Sequence, residues 1–156
     1  MFSLTRKVDY ALVALTELAD HTPARVSARD ISTRHQLPLP LLANVLNQLV
    51  RAGLIVSSRG VTGGYTLARS ADRINVVDVI GAIEGAFRLT ACCPSPSNDP
   101  PTPCDHVDRC RLEDPIRRIH EIIYGVLCQV TLTDLAENRM PLGLESLATL
   151  IRQSSS

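Results

Sequence analysis

Residues 92–110 read CCPSPSNDPPTPCDHVDRC and hold four of the chain's five cysteines: Cys92, Cys93, Cys104 and Cys110. The prolines among them exclude a helix or strand interior, because proline lacks an N–H and fixes φ. Thiolates on such a loop can converge on a small volume, which a regular element does not allow. Two kinds of chemistry follow, soft metal ligation and thiol–disulfide exchange. Zinc held by Cys93, Cys104, Cys110 and His106 is one form of the first, although the loop lacks the short CxxC pairs that zinc modules favour. A switch joining Cys92 or Cys93 to Cys104 or Cys110 is one form of the second. The fifth cysteine, Cys128, falls near an apolar helical stripe and reads as a small core residue.

The bounds on the whole chain agree with either chemistry. It has 156 residues, enough for one domain of ordinary size or a small domain with an appended element. At 45% hydrophobic it can bury a core, and at 3% aromatic with no Trp that core is aliphatic. No apolar run is long enough to cross a bilayer, and the start MFSLTRKVDYAL does not read as a secretory signal. A cytoplasmic protein without membrane association is expected, where structural disulfides are rare and clustered cysteines bind metal or sense redox state. The net charge of zero conceals an asymmetry: residues 1–80 carry nine Lys/Arg against six acids. Residues 24–73 carry seven Arg against Asp30 and Asp72. A basic segment in a neutral chain suggests an anionic partner such as a phosphate backbone, or simply a solvated surface.

The elements that must position these groups are mostly helical. Thr5 can cap a helix whose stripe is Val8, Ala11, Leu12, Leu15, Leu18 and Ala19, ending near His21. Ser27 caps a second helix through about His35, with Ile31 inward. Pro38 and Pro40 suit the first turn of a third helix. Leu41, Leu42, Val45, Leu46, Leu49 and Val50 form its buried stripe, and Gly53 ends it. Two short helices joined by a tight turn form a helix-turn-helix, with Asn44, Asn47 and Gln48 on the outer face, where amides read base edges in a major groove.

Leu54–Ser57 and Tyr65–Ala68 read as two strands around SRGVTGGY. Gly60, Gly63 and Gly64 permit a sharp turn there, and Arg59 stands at its base. The pattern is a winged helix, with Arg59 set against phosphates or the minor groove. The candidate DNA-binding set is therefore Ser27, Pro38, Pro40, Asn44, Asn47, Gln48, Arg59, Gly60, Gly63, Gly64 and Tyr65. The glycine run lacks the GxxxxGK[ST] pattern and no helix follows it, which disfavours a nucleotide site. Asn75 can cap a further helix, VVDVIGAIEG.

Beyond the cysteines, Asp114 caps and Pro115 opens a long helix whose stripe is Ile116, Ile119, Ile123, Val126 and Val130. No proline interrupts residues 116–140, so one helix over 114–138 is expected. A second copy of the chain would cover its apolar face and match two half-sites on double-stranded operator DNA. The fold class is mainly α: a winged helix-turn-helix domain at 1–86 with a small β-hairpin wing, and a cysteine-rich loop at 87–113. The dimerisation helix follows at 114–138, then a short amphipathic helix and tail at 139–156.

The order of LTRKVDYAL, DISTRHQLPLPLLANVLNQLVRAGLI, SRGVTGGYTLAR and VVDVIGAIEG, then a cysteine cluster and a long helix, resembles the Rrf2 family of bacterial winged-helix regulators. The RGxxGGY wing after a helix ending RAGL is specific to that family, and the cysteine loop marks its cluster-binding branch. The resemblance implies a homodimeric DNA-binding regulator, not an enzyme, holding a [2Fe-2S] or [4Fe-4S] iron–sulfur cluster. Cys104 and Cys110 match the last two cysteines of the family loop, and the first ligand is Cys92 or Cys93. Some members have a histidine three residues after the last cysteine, where this chain has Glu113. Others take a carboxylate from the partner's first helix, a position that Asp9 matches; a helix-dipole role is the other reading of Asp9. His106 is a further option. The resemblance implies that cluster state controls operator affinity. A thiol switch or structural zinc on the same winged helix, and an iron–sulfur carrier or enzyme, are the alternatives.

Overall fold

The first helix has apolar residues on more than one face, so it must be covered from more than one side. In the computed structural model, which describes residues 4–60, 63–90, 93, 110–139 and 141, α1 (Arg6–Asp20) is covered in this way. Ala11, Ala14, Leu15 and Leu18 enter one core with Ile31, Leu42, Leu46, Leu49, Ile55, Ile74, Val79 and Leu132. Val8 enters a second with Val76, Ile80 and Phe87. Ala11 and Ala14 are fully buried, and their small side chains let neighbouring helices approach closely. Thr5 occupies the N-cap position, but its side chain makes no cap; only its carbonyl takes part, accepting from the Asp9 N–H at 3.1 Å.

Helix α2 (Ala28–His35) starts at Ser27, whose hydroxyl accepts from the Asp30 N–H at 3.1 Å. It stops at Gln36, which turns left-handed at φ 53°. Helix α3 (Leu39–Arg51) follows at once, with Pro38 as N-cap and Pro40 in its first turn. Its apolar face is Leu42, Val45, Leu46 and Leu49. Leu41, expected in that stripe, is 51% exposed instead: it lies 100° from Leu42 and falls past the edge of the core. The Leu54 N–H closes α3 on Leu49 O at 3.0 Å.

Leu54 is thereby engaged by the helix end, and the hairpin begins one residue later than expected. Strands β1 (Ile55–Ser58) and β2 (Gly64–Leu67) are antiparallel, with Ile55 opposite Leu67 and Ser58 opposite Gly64. Tyr65 also exchanges both backbone bonds with Val26, at 2.9 and 3.1 Å, which ties the hairpin to the α1–α2 link. A Cβ on Gly64 would meet Val26 O at 2.8 Å, so glycine is what allows that approach.

Helix α4 (Val76–Glu84) opens with a full capping box between Asn75 and Asp78. Phe87, beyond Gly85, packs in the second core and stacks on the buried His120 ring, with centroids 5.5 Å apart and planes 12° apart. His120 belongs to α5 (Glu113–Gln129), and its Nδ1 is buried without a hydrogen-bond partner. This helix begins after Leu112 rather than at Asp114, and Pro115 still lies within its first turn.

The single helix expected over 114–138 does not extend past Gln129. Val130 is extended, and its carbonyl accepts from Val76 N–H at 3.0 Å, while Leu132 N–H donates to Ile74 O at 2.9 Å. Thr131 and Asp134 then form a capping box that starts α6 (Leu132–Ala136). A pair of β-branched residues and an N-cap signal outweigh continuation of the helix. The break returns Leu132 to full burial beside α1. The expected tail helix at 142–152 lies outside the described residues.

One buried carboxylate locks the helices together. Glu17 of α1 is 6% exposed and pairs with Arg34 of α2, while His35 Nε2 lies 2.9 Å from its other oxygen. His21 Nε2 sits 3.1 Å from the Arg34 guanidinium. Burial of a carboxylate requires such partners.

The α6 box makes a stability prediction. The Thr131 hydroxyl, then its backbone N–H, hold the Asp134 carboxyl below its ordinary pKa. Its stabilising contribution is therefore present above the unfolded value, about 4, and disappears as pH falls through the lowered folded value. Thr131→Ala should lower unfolding free energy by about 1 kcal/mol at pH 7, measured by urea titration. Asp134→Asn should flatten the acid limb of the stability profile.

Candidate nucleic-acid interface and cysteine segment

The outer face of α3 differs from its inner face in both exposure and chemistry. Asn44 and Asn47 are exposed, one helical turn apart, and so are Pro38 and Pro40 at its start. Gln48 is half-buried, and its Oε1 is shielded and unpaired, so it is less available to a large partner than the two asparagines. Ser27 is occupied by its cap, with its hydroxyl also 2.7 Å from Asp30 Oδ2.

Arg59 leaves the end of β1 exposed to solvent. Gly60 follows with φ 119°, and Gly63 N–H donates to Gly60 O at 2.9 Å, closing the base of the hairpin turn. Residues 61 and 62 lie outside the described residues. Tyr65 packs its ring on the main core while its backbone bonds Val26, so its evident work is to hold the wing.

Sequence reading missed a second wall to this surface. A groove of about 360 Å³ runs between α1 and the outer face of α3, lined by Arg6, Lys7, Tyr10, Leu41, Asn44 and Arg51 among others. Arg6, Lys7 and Arg51 form no ion pair among the described residues, whereas Arg34, Arg69, Arg117 and Arg139 do. The available signal was the LTRKVDY start: two cations in the first turn of a helix oppose the helix dipole.

Of the cysteine segment, Cys93 and Cys110 are described, while Cys92, Cys104 and His106 lie outside the described residues. Cys93 is buried and its Sγ is 3.2 Å from the Thr90 hydroxyl; Cys110 is exposed just before α5. Both are free thiols. Asp9 is exposed on α1, one residue from buried Val8. Glu113 is the first residue of α5. Among the described residues no three His, Cys, Asp or Glu side chains gather closely enough to hold a metal. Cys128 is half-buried beside Tyr124; burial, aided by the Cys128 thiol, pushes the Tyr124 phenol up.

Helix α5 presents apolar side chains to solvent. Leu112 and Ile122 are each 66% exposed and Ile119 is 45% exposed, while Ile123 and Tyr124 turn toward Phe87. Among the described residues no helix is long and apolar enough to cross a membrane.

Known proteins share this arrangement. Residues 4–138 match the family model described as Rrf2, iron-dependent transcriptional regulator. The HTH-type transcriptional regulator IscR of Xenorhabdus nematophila is 34% identical over 137 residues, covering 87% of this chain and 80% of that protein. Among solved structures, CymR, the global cysteine regulator of B. subtilis, superposes with a TM-score of 0.69 at 28% identity. It covers 88% of this chain and 98% of its own. IscR of T. potens gives 0.67 at 28% identity, covering 88% of each chain. These relatives are transcriptional regulators, not enzymes. The two-helix unit, its hairpin wing and the family match over residues 4–138 lead to one conclusion: the chain is a winged-helix, DNA-binding transcriptional regulator and belongs to the Rrf2 family.

Proposed function

We propose that the chain acts in the cytoplasm as a homodimer that binds an operator through α3 and the wing, with affinity set by an iron–sulfur cluster on the cysteine segment. The observation that carries the DNA part is the exposed pair Asn44 and Asn47 on a helix rigidly backed by the main core. Asparagine amides can pair with adenine N6 and N7 in the major groove. Arg59, at the base of the wing, contacts phosphate or the minor groove. Gly60, Gly63 and Gly64 shape the loop for close approach, and Ser27, Pro38 and Pro40 fix where the two helices begin.

The donor set suits an iron–sulfur cluster. Free thiols stand on either side of residues 94–109, and thiolates are the ligands such clusters take. Cys104, Cys110 and either Cys92 or Cys93 would supply three positions, and Asp9 of the second subunit the fourth. When bound, the cluster would supply a redox- and nitric-oxide-sensitive centre. The chain's own part is to transmit strain. Phe87, six residues before Cys93, packs on Val8 of α1, and α1 also backs α3 through Leu15 and Leu18. A change in the loop reaches the recognition helix only as far as the two states differ in free energy. The IscR relatives favour the cluster over zinc. A thiol switch is the second reading, favoured by a neighbour at 28% identity, S. aureus CymR, solved in an oxidized form.

The exposed apolar stripe of α5 is the surface on which a second copy would pack. Ile119→Asp with Ile122→Asp should convert dimer to monomer by sedimentation, with little change in far-ultraviolet dichroism.

The readout of DNA makes two distinct signatures. Asn44→Ala should cost about 1–3 kcal/mol on the specific duplex and little on an unrelated one. Arg59→Ala should weaken both and flatten the salt dependence. A variant at either position that binds like the parent removes that residue from the interface.

Cys104→Ser or Cys110→Ser should fix operator affinity at the value of cluster-free protein and remove its response to nitric oxide. Under the thiol-switch reading the same variants lose their response to peroxide, while the parent never carries iron.

A further inference from the structure

We infer that the first turn of α1 is a phosphate-binding arm of the DNA interface, in which Arg6 and Lys7 grip the backbone that rims the groove entered by α3. The inference rests on the proposed reading of α3 as the recognition helix and extends the interface to an element outside the helix-turn-helix and the wing.

Three observations support it. First, Arg6, Lys7 and Tyr10 share one groove with Asn44, Asn47 and Arg51, so the α1 side chains are continuous with the base-reading face. Second, Arg6 and Lys7 are exposed, and neither has an ion pair among the described residues. Third, they occupy helix positions where the backbone dipole favours an anion. The first-turn N–H groups, which the Thr5 side chain does not cap, and the two cations together attract the same partner, a phosphate oxygen.

The dimensions agree. The major groove is about 12 Å wide, and a helix with its side chains fills most of that width. Helices in contact lie about 8–10 Å apart. With α3 in the groove, the α1 side chains that line the shared cleft fall at the groove's rim, where the phosphates are. Arg51, in the last turn of α3, reaches the same rim from the other wall. Tyr10 packs part of its ring on the main core, which fixes the arm against the recognition helix.

The arm is sequence-blind, so it has a distinctive test. The double variant Arg6→Gln, Lys7→Gln is compared with the parent on a specific and an unrelated duplex over a range of salt. Loss of two phosphate contacts should reduce the slope of log affinity against log salt by about 1.8. Affinity should fall roughly 30-fold near 0.15 M salt on both duplexes. Arg6→Lys, which keeps the charge, should retain the parent's slope. Unchanged far-ultraviolet dichroism and melting temperature are expected from two exposed side chains and show that the fold is intact. A folded double variant with the parent's slope overturns the arm while leaving the recognition helix in place, as does a loss confined to the specific duplex. If the parent itself binds no duplex in a salt-dependent way, the DNA reading fails first and the arm with it.

Discussion

The structure depends on the burial of α1 from two sides. Val8 closes one core with Phe87 and α4, and Ala11, Ala14, Leu15 and Leu18 close the other with α3 and α6. Helix α4 also reaches both, with Val79 in one and Val76 and Ile80 in the other. At about 25 cal/mol per Å² of apolar area removed from water, each large side chain on this helix contributes on the order of 2 kcal/mol. Any movement of α1 must therefore be concerted with both cores. That property places α1 between Phe87, before the cysteine segment, and the buried face of α3.

Polar interactions refine this arrangement without driving it. The Glu17 carboxylate, held by Arg34 and His35, fixes how α2 lies across α1. Both partners lie on α2, so a shift of α2 along α1 would break these contacts. At the opposite end, the bonds from Val76 to Val130 and from Leu132 to Ile74 fold α6 back beside α1. Helix α5 is thus held at its end by the domain while its outer face stays apolar and open. Packed side chains run without a break from Phe87, six residues before Cys93, through α1 to α3.

Much of this was legible in the sequence because the signals are local. The caps at Ser27 and Asn75, the Gly53 stop and the RGxxGGY hairpin each fix one element through short-range hydrogen bonds or φ preference. The misplacements have tertiary causes. Leu41 looks like a stripe residue at spacing three and four, but only packing decides how wide the buried arc is. The end of α5 at Gln129 depends on Val130 pairing with a segment more than fifty residues earlier, which periodicity cannot reveal. The TLTD box was nonetheless present as a start signal that the absence of proline overshadowed. The site was legible in part. Asn44, Asn47 and Arg59 follow from helix face and hairpin chemistry, whereas Arg6, Lys7 and Tyr10 join them only once α1 is packed on α3. The Glu17 lock was hidden for the same reason.

The central proposal is that Cys104, Cys110 and either Cys92 or Cys93 hold an iron–sulfur cluster. The most direct measurement is the ultraviolet–visible spectrum of anaerobically purified protein, with iron and acid-labile sulfide assayed on the same sample. The account predicts visible absorption from a thiolate-ligated cluster, with iron and sulfide in matching amounts. A protein that stays colourless and free of iron after anaerobic reconstitution would contradict it.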